Sequence, residues 1–228
     1  MEIFTNETLI KRNARIGQIG SLAGLVVLAG GMFISFTRAD LFVFSLGALL
    51  FGFILSQIGI YFGNRWSRRP RPDEHLNNSL KGLDGRYTLY HYTTSVPHLL
   101  VGPAGVWVLL PRNMRGRITY DKGRWKQRGG NLYLKIFAQE GLGRPDLEIG
   151  GALDSAKKFL EEILPEDSEV PDIQAALIFT NDATEVDADN APVPSLHAKK
   201  LKDFIRKTAK NKPISMDKVQ EIQEAIVE

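Results

Sequence analysis

Residues 16–36 read IGQIGSLAGLVVLAGGMFISF, and residues 41–62 read LFVFSLGALLFGFILSQIGIYF. No Asp, Glu, Lys or Arg occurs between Ile16 and Thr37 or between Leu41 and Gly63. Each run is about twenty residues, so a helix rising ~1.5 Å per residue covers roughly 30 Å, the hydrocarbon thickness of a bilayer. Inside lipid a helix satisfies its own backbone donors and acceptors, so both runs are expected to be helical. Only Thr37, Arg38, Ala39 and Asp40 separate them, which forces antiparallel neighbours. Residues 16–63 therefore read as a transmembrane hairpin. A signal peptide would have a shorter apolar region and no second span. A hairpin buried in a soluble core would carry amphipathic faces, which these runs lack.

Orientation follows from the flanks. Lys11, Arg12 and Arg15 precede the hairpin and Arg65, Arg68, Arg69 and Arg71 follow it, while the turn carries Arg38 beside Asp40. The positive-inside rule puts both termini and everything after the hairpin in the cytoplasm, with the hairpin in an inner or plasma membrane. Gly20 and Gly24 form a GxxxG, and Gly30, Gly31, Gly47 and Gly52 add further small residues, so Gly20 and Gly24 are the expected helix-packing positions. Neither run holds an ionisable group at depth, as a transport pathway requires, so the hairpin reads as an anchor with membrane lipid as its partner. Residues 1–15 form a short segment ahead of it. Residues 64–72 read as a basic, proline-interrupted linker, expected to be extended and close to anionic headgroups.

The average composition conceals this division. Mean hydropathy is −0.14, like an ordinary soluble protein. After Gly63, 25 Lys or Arg are set against 23 Asp or Glu, a balance that describes a solvated surface rather than a basic groove. The chain has no cysteine, which excludes disulfides, thiol nucleophiles and Cys-ligated metals.

From residue 73 to 228 the pattern is that of one α+β (mixed α/β) domain. Glu74–Leu83 reads as a short helix and Arg86–Thr93 as a strand. His98–Val101 and Gly105–Leu110 flank Gly102-Pro103-Ala104 as a hairpin. Gly116–Tyr120 and Leu132–Phe137 read as strands separated by a turn-rich stretch, Asp121–Asn131. Leu147–Leu164 repeats apolar residues at helical spacing and stops at Pro165. Ile173–Phe179 is a continuous apolar run suited to a buried strand. Thr180–Ala191 reads as an acidic loop, followed by a short strand around Val193. Leu196–Lys210 and Ser215–Val227, with Ser215 as N-cap, complete the chain as helices.

Generic catalytic motifs are absent: no G-x-S-x-G, P-loop, H-E-x-x-H or helix-opening GxGxxG occurs. His75, His91, His98 and His197 lack ligand-like spacing, and neither a metal nor a cofactor is expected. The segment from Pro97 to Arg117 is more specific. It resembles the central part of the nuclease-related domain (NERD) family, related to the PD-(D/E)XK nuclease fold, in His98, Gly102, Pro103, Gly105, Val106, Val108, Asn113 and Gly116. The resemblance implies a restriction-endonuclease-like domain over residues 73–228. It also implies a site in which two carboxylates hold a divalent metal and a lysine activates water. At the corresponding positions stand Pro97, Leu110 and Arg112, with Glu74 as the retained upstream acid. Leu110 cannot bind a metal, Pro97 has no side-chain oxygen, and Arg112 effectively never deprotonates.

The expectation is thus a membrane-anchored, catalytically inactive nuclease-like domain acting as a binding, scaffold or accessory subunit with a protein partner or membrane complex. One alternative is an active nuclease drawing on Asp121, Glu140, Asp146 or Glu148 with Lys122, Lys126 or Lys135. Another is a non-cleaving nucleic-acid-binding module using Arg112, Arg115, Arg117, Lys122, Arg124, Lys126 and Arg128 on a basic sheet edge.

Overall fold

The computed structural model describes residues 1–129 and 142–227. They divide into two compact units, Glu7–Arg71 and, by itself, Met1–Asn6 with the chain from Pro72 onward. The expected strand Leu132–Phe137, with Lys135 and Glu140, lies outside the described residues.

In the first unit, α1 (Glu7–Thr37) and α2 (Phe42–Phe62) are joined by one turn of 3-10 helix, Ala39–Leu41. Both helices are long and apolar enough to cross a membrane. Their outer faces expose large apolar side chains, among them Leu22 (65%), Phe33 (68%) and Val43 (77%). Such surface is costly in water and ordinary in lipid. The inner seam is built from small residues at heptad spacing: Gly17, Gly24 and Gly31 on α1, Ser45, Gly52 and Gly59 on α2. A seven-residue repeat keeps one stripe of each helix against its neighbour. A Cβ on Gly24 would lie 2.7 Å from the Ser56 backbone nitrogen, and one on Gly59 would lie 2.3 Å from that of Ser21. Helices in lipid gain little from apolar burial, so this close approach supplies the dispersion that holds them together. Gly20 also faces α2, where a Cβ would press on the Gly59 backbone at 3.3 Å, whereas Gly30 and Gly47 face open space. The seam therefore follows the heptad through Gly17, Gly24 and Gly31 as well as the GxxxG pair.

The linker does not begin extended. Gly63–Ser67 continues the helical path as a π-helical turn, and the chain straightens only at Arg68 (φ −70°, ψ 123°). The turn folds back on α1, where the Ser67 hydroxyl donates to Ala14 O (3.4 Å).

In the second unit, six strands among the described residues form the main sheet: β1 (Glu2–Thr5), β2 (Thr88–His91), β3 (His98–Gly102), β4 (Gly105–Arg112), β7 (Ile173–Phe179) and β9 (Ser195–His197). They lie side by side in that order, with β2, β3 and β4 antiparallel, β4, β7 and β9 parallel, and β1 parallel to β2. Helices α3 (Pro72–Leu80) and α5 (Ala198–Asn211) cover one face. Helices α4 (Pro145–Ile163) and α6 (Met216–Val227) cover the other. Strand alternation divides the core accordingly. Leu99, Val101, Val106, Val108, Ala175, Leu177 and Phe179 pack with Ile149, Ala156, Leu160, Val219 and Ile222. Leu100, Trp107, Leu109, Ala176 and Ile178 pack with Leu76, Leu80, Leu201 and Ile205. Burial on both faces explains why GVWVLL and IQAALIF read as continuous apolar runs rather than alternating ones.

The hairpin turn between β3 and β4 needs its residue types. Gly105 holds φ +99°, and a Cβ on Gly102 would stand 2.2 Å from the Tyr87 ring. Ala104 is buried, and its carbonyl accepts from Trp107 Nε1 (2.9 Å).

A smaller sheet, β6-β5-β8, contains β5 (Gly116–Asp121), β6 (Arg124–Arg128) and β8 (Thr184–Asp187). Here the sequence-based reading is corrected twice. Asp121–Asn131 is not merely turn-rich, because Lys122 (φ 50°) and Gly123 (φ 73°) make a two-residue hairpin turn into β6. Both central residues at positive φ mark a type I′ turn, and a lysine in the first of them is an unusual signal. The acidic loop Thr180–Ala191 contains β8, which pairs with β5 through Gly116↔Thr184 to Thr119↔Asp187. The strand expected around Val193 falls on Ser195–His197. Residues 1–15 also divide: Glu2–Thr5 joins the main sheet, with Phe4 stacked on Tyr90 at 5.5 Å, and α1 starts at Glu7. The Ser215 hydroxyl accepts from Lys218 N (3.3 Å), opening α6.

The glycine seam is open to test. Gly59→Leu forces the helices apart and is expected to cost about 1–3 kcal/mol, seen as a lower melting temperature of the full chain in mild detergent. Gly47→Ala, in open space, should leave it unchanged; equal effects would show that the seam does not hold the hairpin.

Candidate functional site

The register brings together the positions that the family resemblance assigns to catalysis. Leu99 pairs with Val108 across the β3–β4 hairpin, so continuing that register sets Pro97 opposite Leu110 at the end of β4. The two positions lie side by side, and neither carries an oxygen ligand. Leu110 packs against the core on the α4 face. Arg112, two residues on, points to the same side and forms an ion pair with Glu148 in the first turn of α4. Thr180 N and its hydroxyl both donate to Arg112 O (2.9 and 3.3 Å), tying the end of β4 to the end of β7. Arg112 is a quarter exposed and Glu148 half exposed, so solvent screens the pair and its net worth is about 1 kcal/mol. Its placement is the more informative property. The pair ties the end of β4 to the first turn of α4.

Glu74 belongs elsewhere. It sits in the first turn of α3, beside the buried Asp73, and α3 packs on the opposite face of the sheet from Leu110. Among the described residues, no group of three or more His, Asp or Glu converges in a way that could hold a metal ion.

A buried polar cluster, which the sequence reading did not assign, occupies the α3 face. His91 and His98 are register partners on β2 and β3, 0% and 2% exposed. Their Nδ1 atoms are 2.8 Å apart, and His91 Nε2 lies 3.0 Å from Asn77 Oδ1 on α3. With Asn77 Oδ1 accepting, His91 carries its proton on Nε2 and its Nδ1 accepts from His98 Nδ1–H. The geometry admits one proton between the two Nδ1 atoms. The rings also meet edge to face at 5.0 Å, and Tyr92, held at φ 59°, packs on His98 at 4.9 Å. The signal in the sequence was the short loop joining two strands that each carry a histidine at the end nearer the loop. Only the strand register shows that they meet.

A second polar junction links α3 to the start of α5. His197 caps α5, its Nδ1 accepting from Lys199 N (3.2 Å), which leaves Nε2 as the donor to Asn181 O (3.1 Å). Asp182 is held below the usual carboxylate range by hydrogen bonding from Lys199, helped by the positive field of that lysine. His75 titrates below its ordinary value of 6.5 because burial disfavours the imidazolium, although Glu74 and Asp182 oppose the shift.

The candidate nucleic-acid residues form a face rather than an edge of one sign. Arg124, Lys126 and Arg128 alternate along β6 and pair with Asp121, Thr119 and Arg117 on β5. Lys126 is bound to Asp121 (3.1 Å) and Arg117 to Asp187 (2.6 Å), with Glu185 at 3.8 Å. Lys122, Arg124, Arg128 and, ahead of β5, Arg115 are exposed. Acids on β5 and β8 thus interleave with the cations, because β8 arises from the acidic segment. Trp125, on the other side of β6, turns inward and donates from Nε1 to Asp146 (3.0 Å), so it is not a stacking platform on the basic face.

The His75 shift has a defined sign. The unfolded chain takes up the proton first, so the contribution of neutral His75 is full above 6.5 and falls away as pH drops below that value. A His75→Gln protein is therefore expected to lose less stability than wild type between about pH 7 and pH 5 in urea titrations. Equal losses would remove His75 from the acid response.

No protein-family model, curated protein or solved structure matches the chain.

Proposed function

We propose that the chain is a membrane-tethered, nuclease-like domain that has lost its metal-dependent chemistry and works by binding, as a scaffold or accessory subunit of a membrane complex. One observation carries this reading. At the strand ends where a NERD-type domain would hold its metal, Pro97 and Leu110 offer no ligand and Arg112 is paired with Glu148. The element order supports a restriction-endonuclease-like fold: α3, the antiparallel strands β2, β3 and β4, then α4 and the parallel strand β7. The Gly-Pro-Ala-Gly turn supports it too, since it satisfies folding needs that persist without catalysis. Purified full-length protein with Mg²⁺ or Mn²⁺ should not cleave DNA or RNA. Metal-dependent cleavage that Glu74→Gln or Arg112→Ala abolishes would overturn the proposal.

The exposed cations Arg124 and Arg128 on one side of β6 favour a second reading, a non-cleaving nucleic-acid-binding module. It requires affinity that falls steeply with salt.

For topology we infer that both ends of the hairpin are cytoplasmic. Arg38 forms a two-point ion pair with Asp40 (3.0 and 2.9 Å), which offsets the only positive charge in the turn, while both flanks stay basic. The chain has no cysteine, so single replacements report cleanly. Thr37→Cys should react with an impermeant thiol reagent from outside intact cells and Asn211→Cys should not; the reverse pattern would invert the topology.

A further inference from the structure

Helix α5 is the most one-sided element of the second unit. Ala198, Leu201 and Ile205 are buried against the sheet, and Phe204 packs edge to face on Trp107 at 5.3 Å. The rest of the helix and its C-cap present Lys200, Lys202, Arg206, Lys207, Lys210 and Lys212, with Asp203 as the helix's one acid. Lys199 is excluded because Asp182 neutralises it at 2.7 Å. On the small sheet acids pair with the cations, whereas on this helix Asp203 stands against the whole basic run.

At its C-terminal end this face borders a groove of about 580 Å³. Its lining combines Arg206 and Lys210 with the apolar Tyr87, Pro103, Ile214 and Met216, and with Asp84. Arg206 is held in place, its Nη2 donating to Gly82 O (2.7 Å). Arg86 also lines the groove but is bound two-point by Asp84 (3.1 and 2.7 Å), so it adds little net charge. Cations beside apolar lining, continuous with a polybasic helix, suit a phosphate-bearing amphiphile rather than a free inorganic ion.

We propose that the basic face of α5 and this groove form a binding surface for anionic phospholipid headgroups of the bilayer that holds the hairpin. The chain itself argues for that occupant. The apolar span ends at Phe62 and α3 begins at Pro72, and the residues between reach at most roughly 30 Å when fully extended. A surface tethered so close to a bilayer meets anionic headgroups at high effective concentration, and each added Lys or Arg strengthens the attraction. The proposal rests on the membrane reading but not on the nuclease-like one.

The test uses full-length Asn211→Cys protein carrying an environment-sensitive fluorophore at that exposed position. It is placed in nanodiscs of phosphatidylcholine alone or with about 30% phosphatidylglycerol, where collisional quenching should fall about threefold in the anionic bilayer. High salt, or Lys207→Gln with Lys210→Gln, should restore it. Equal quenching in both bilayers overturns the proposal, as does protection that survives the double replacement. If soluble glycerol phosphate protects the probe equally in phosphatidylcholine, the groove serves a free phosphate ester and the lipid assignment fails. The salt arm uses native lysines, so the result does not depend on the double variant folding. A protein that fails to enter nanodiscs removes the proposal and the membrane reading together, and leaves the strand-end argument untouched.

Discussion

Burial of β4 on both faces is the constraint on which the second unit depends. Val106 and Val108 turn into the core shared with α4 and α6, while Trp107 and Leu109 turn into the core shared with α3 and α5. A strand so enclosed must find hydrogen-bond partners on both sides, because unpaired backbone groups away from water are expensive. β3 supplies one ladder through a tight antiparallel turn, and β7 supplies the other in parallel. The parallel ladder requires a crossover, and α4 provides it. Helix order, sheet order and the location of both cores follow from that enclosure.

The same strand shows why the turn and the far end of the hairpin place different demands on their residues. Gly102 and Gly105 are required by the Tyr87 ring and by a positive φ, and Ala104 receives the Trp107 indole. These residues hold the hairpin together. Pro97, Leu110 and Arg112 lie at the far end of the hairpin, where the fold asks only for apolar contact and a satisfied charge. The turn and the strand ends thus lie at opposite ends of one β-hairpin and are constrained by different contacts.

Charge is arranged differently on different surfaces. On the small sheet, Arg117 and Lys126 are answered by Asp187 and Asp121, which dilutes the field a nucleic acid would meet. On α5 the cations accumulate along one side with Asp203 as the helix's one acid. In the core, Asn77, His91 and His98 satisfy one another's polar atoms.

The sequence by itself determined the two apolar helices, most of the elements from α3 onward and the lack of carboxylates at Pro97 and Leu110, since these depend on local periodicity, length and residue chemistry. It left β1 unmarked, because four residues at a sheet edge carry no periodic signal. It left β6 and β8 as loop, because Lys122-Gly123 is an atypical turn and TEVD reads as acidic. Only the tertiary structure decided which residues meet. The heptad seam beyond Gly20 and Gly24 depends on how α1 and α2 cross. The meeting of His91 with His98 depends on strand register, and that of Arg112 with Glu148 on where α4 packs. Each of these joins residues through long-range geometry, which no local pattern encodes.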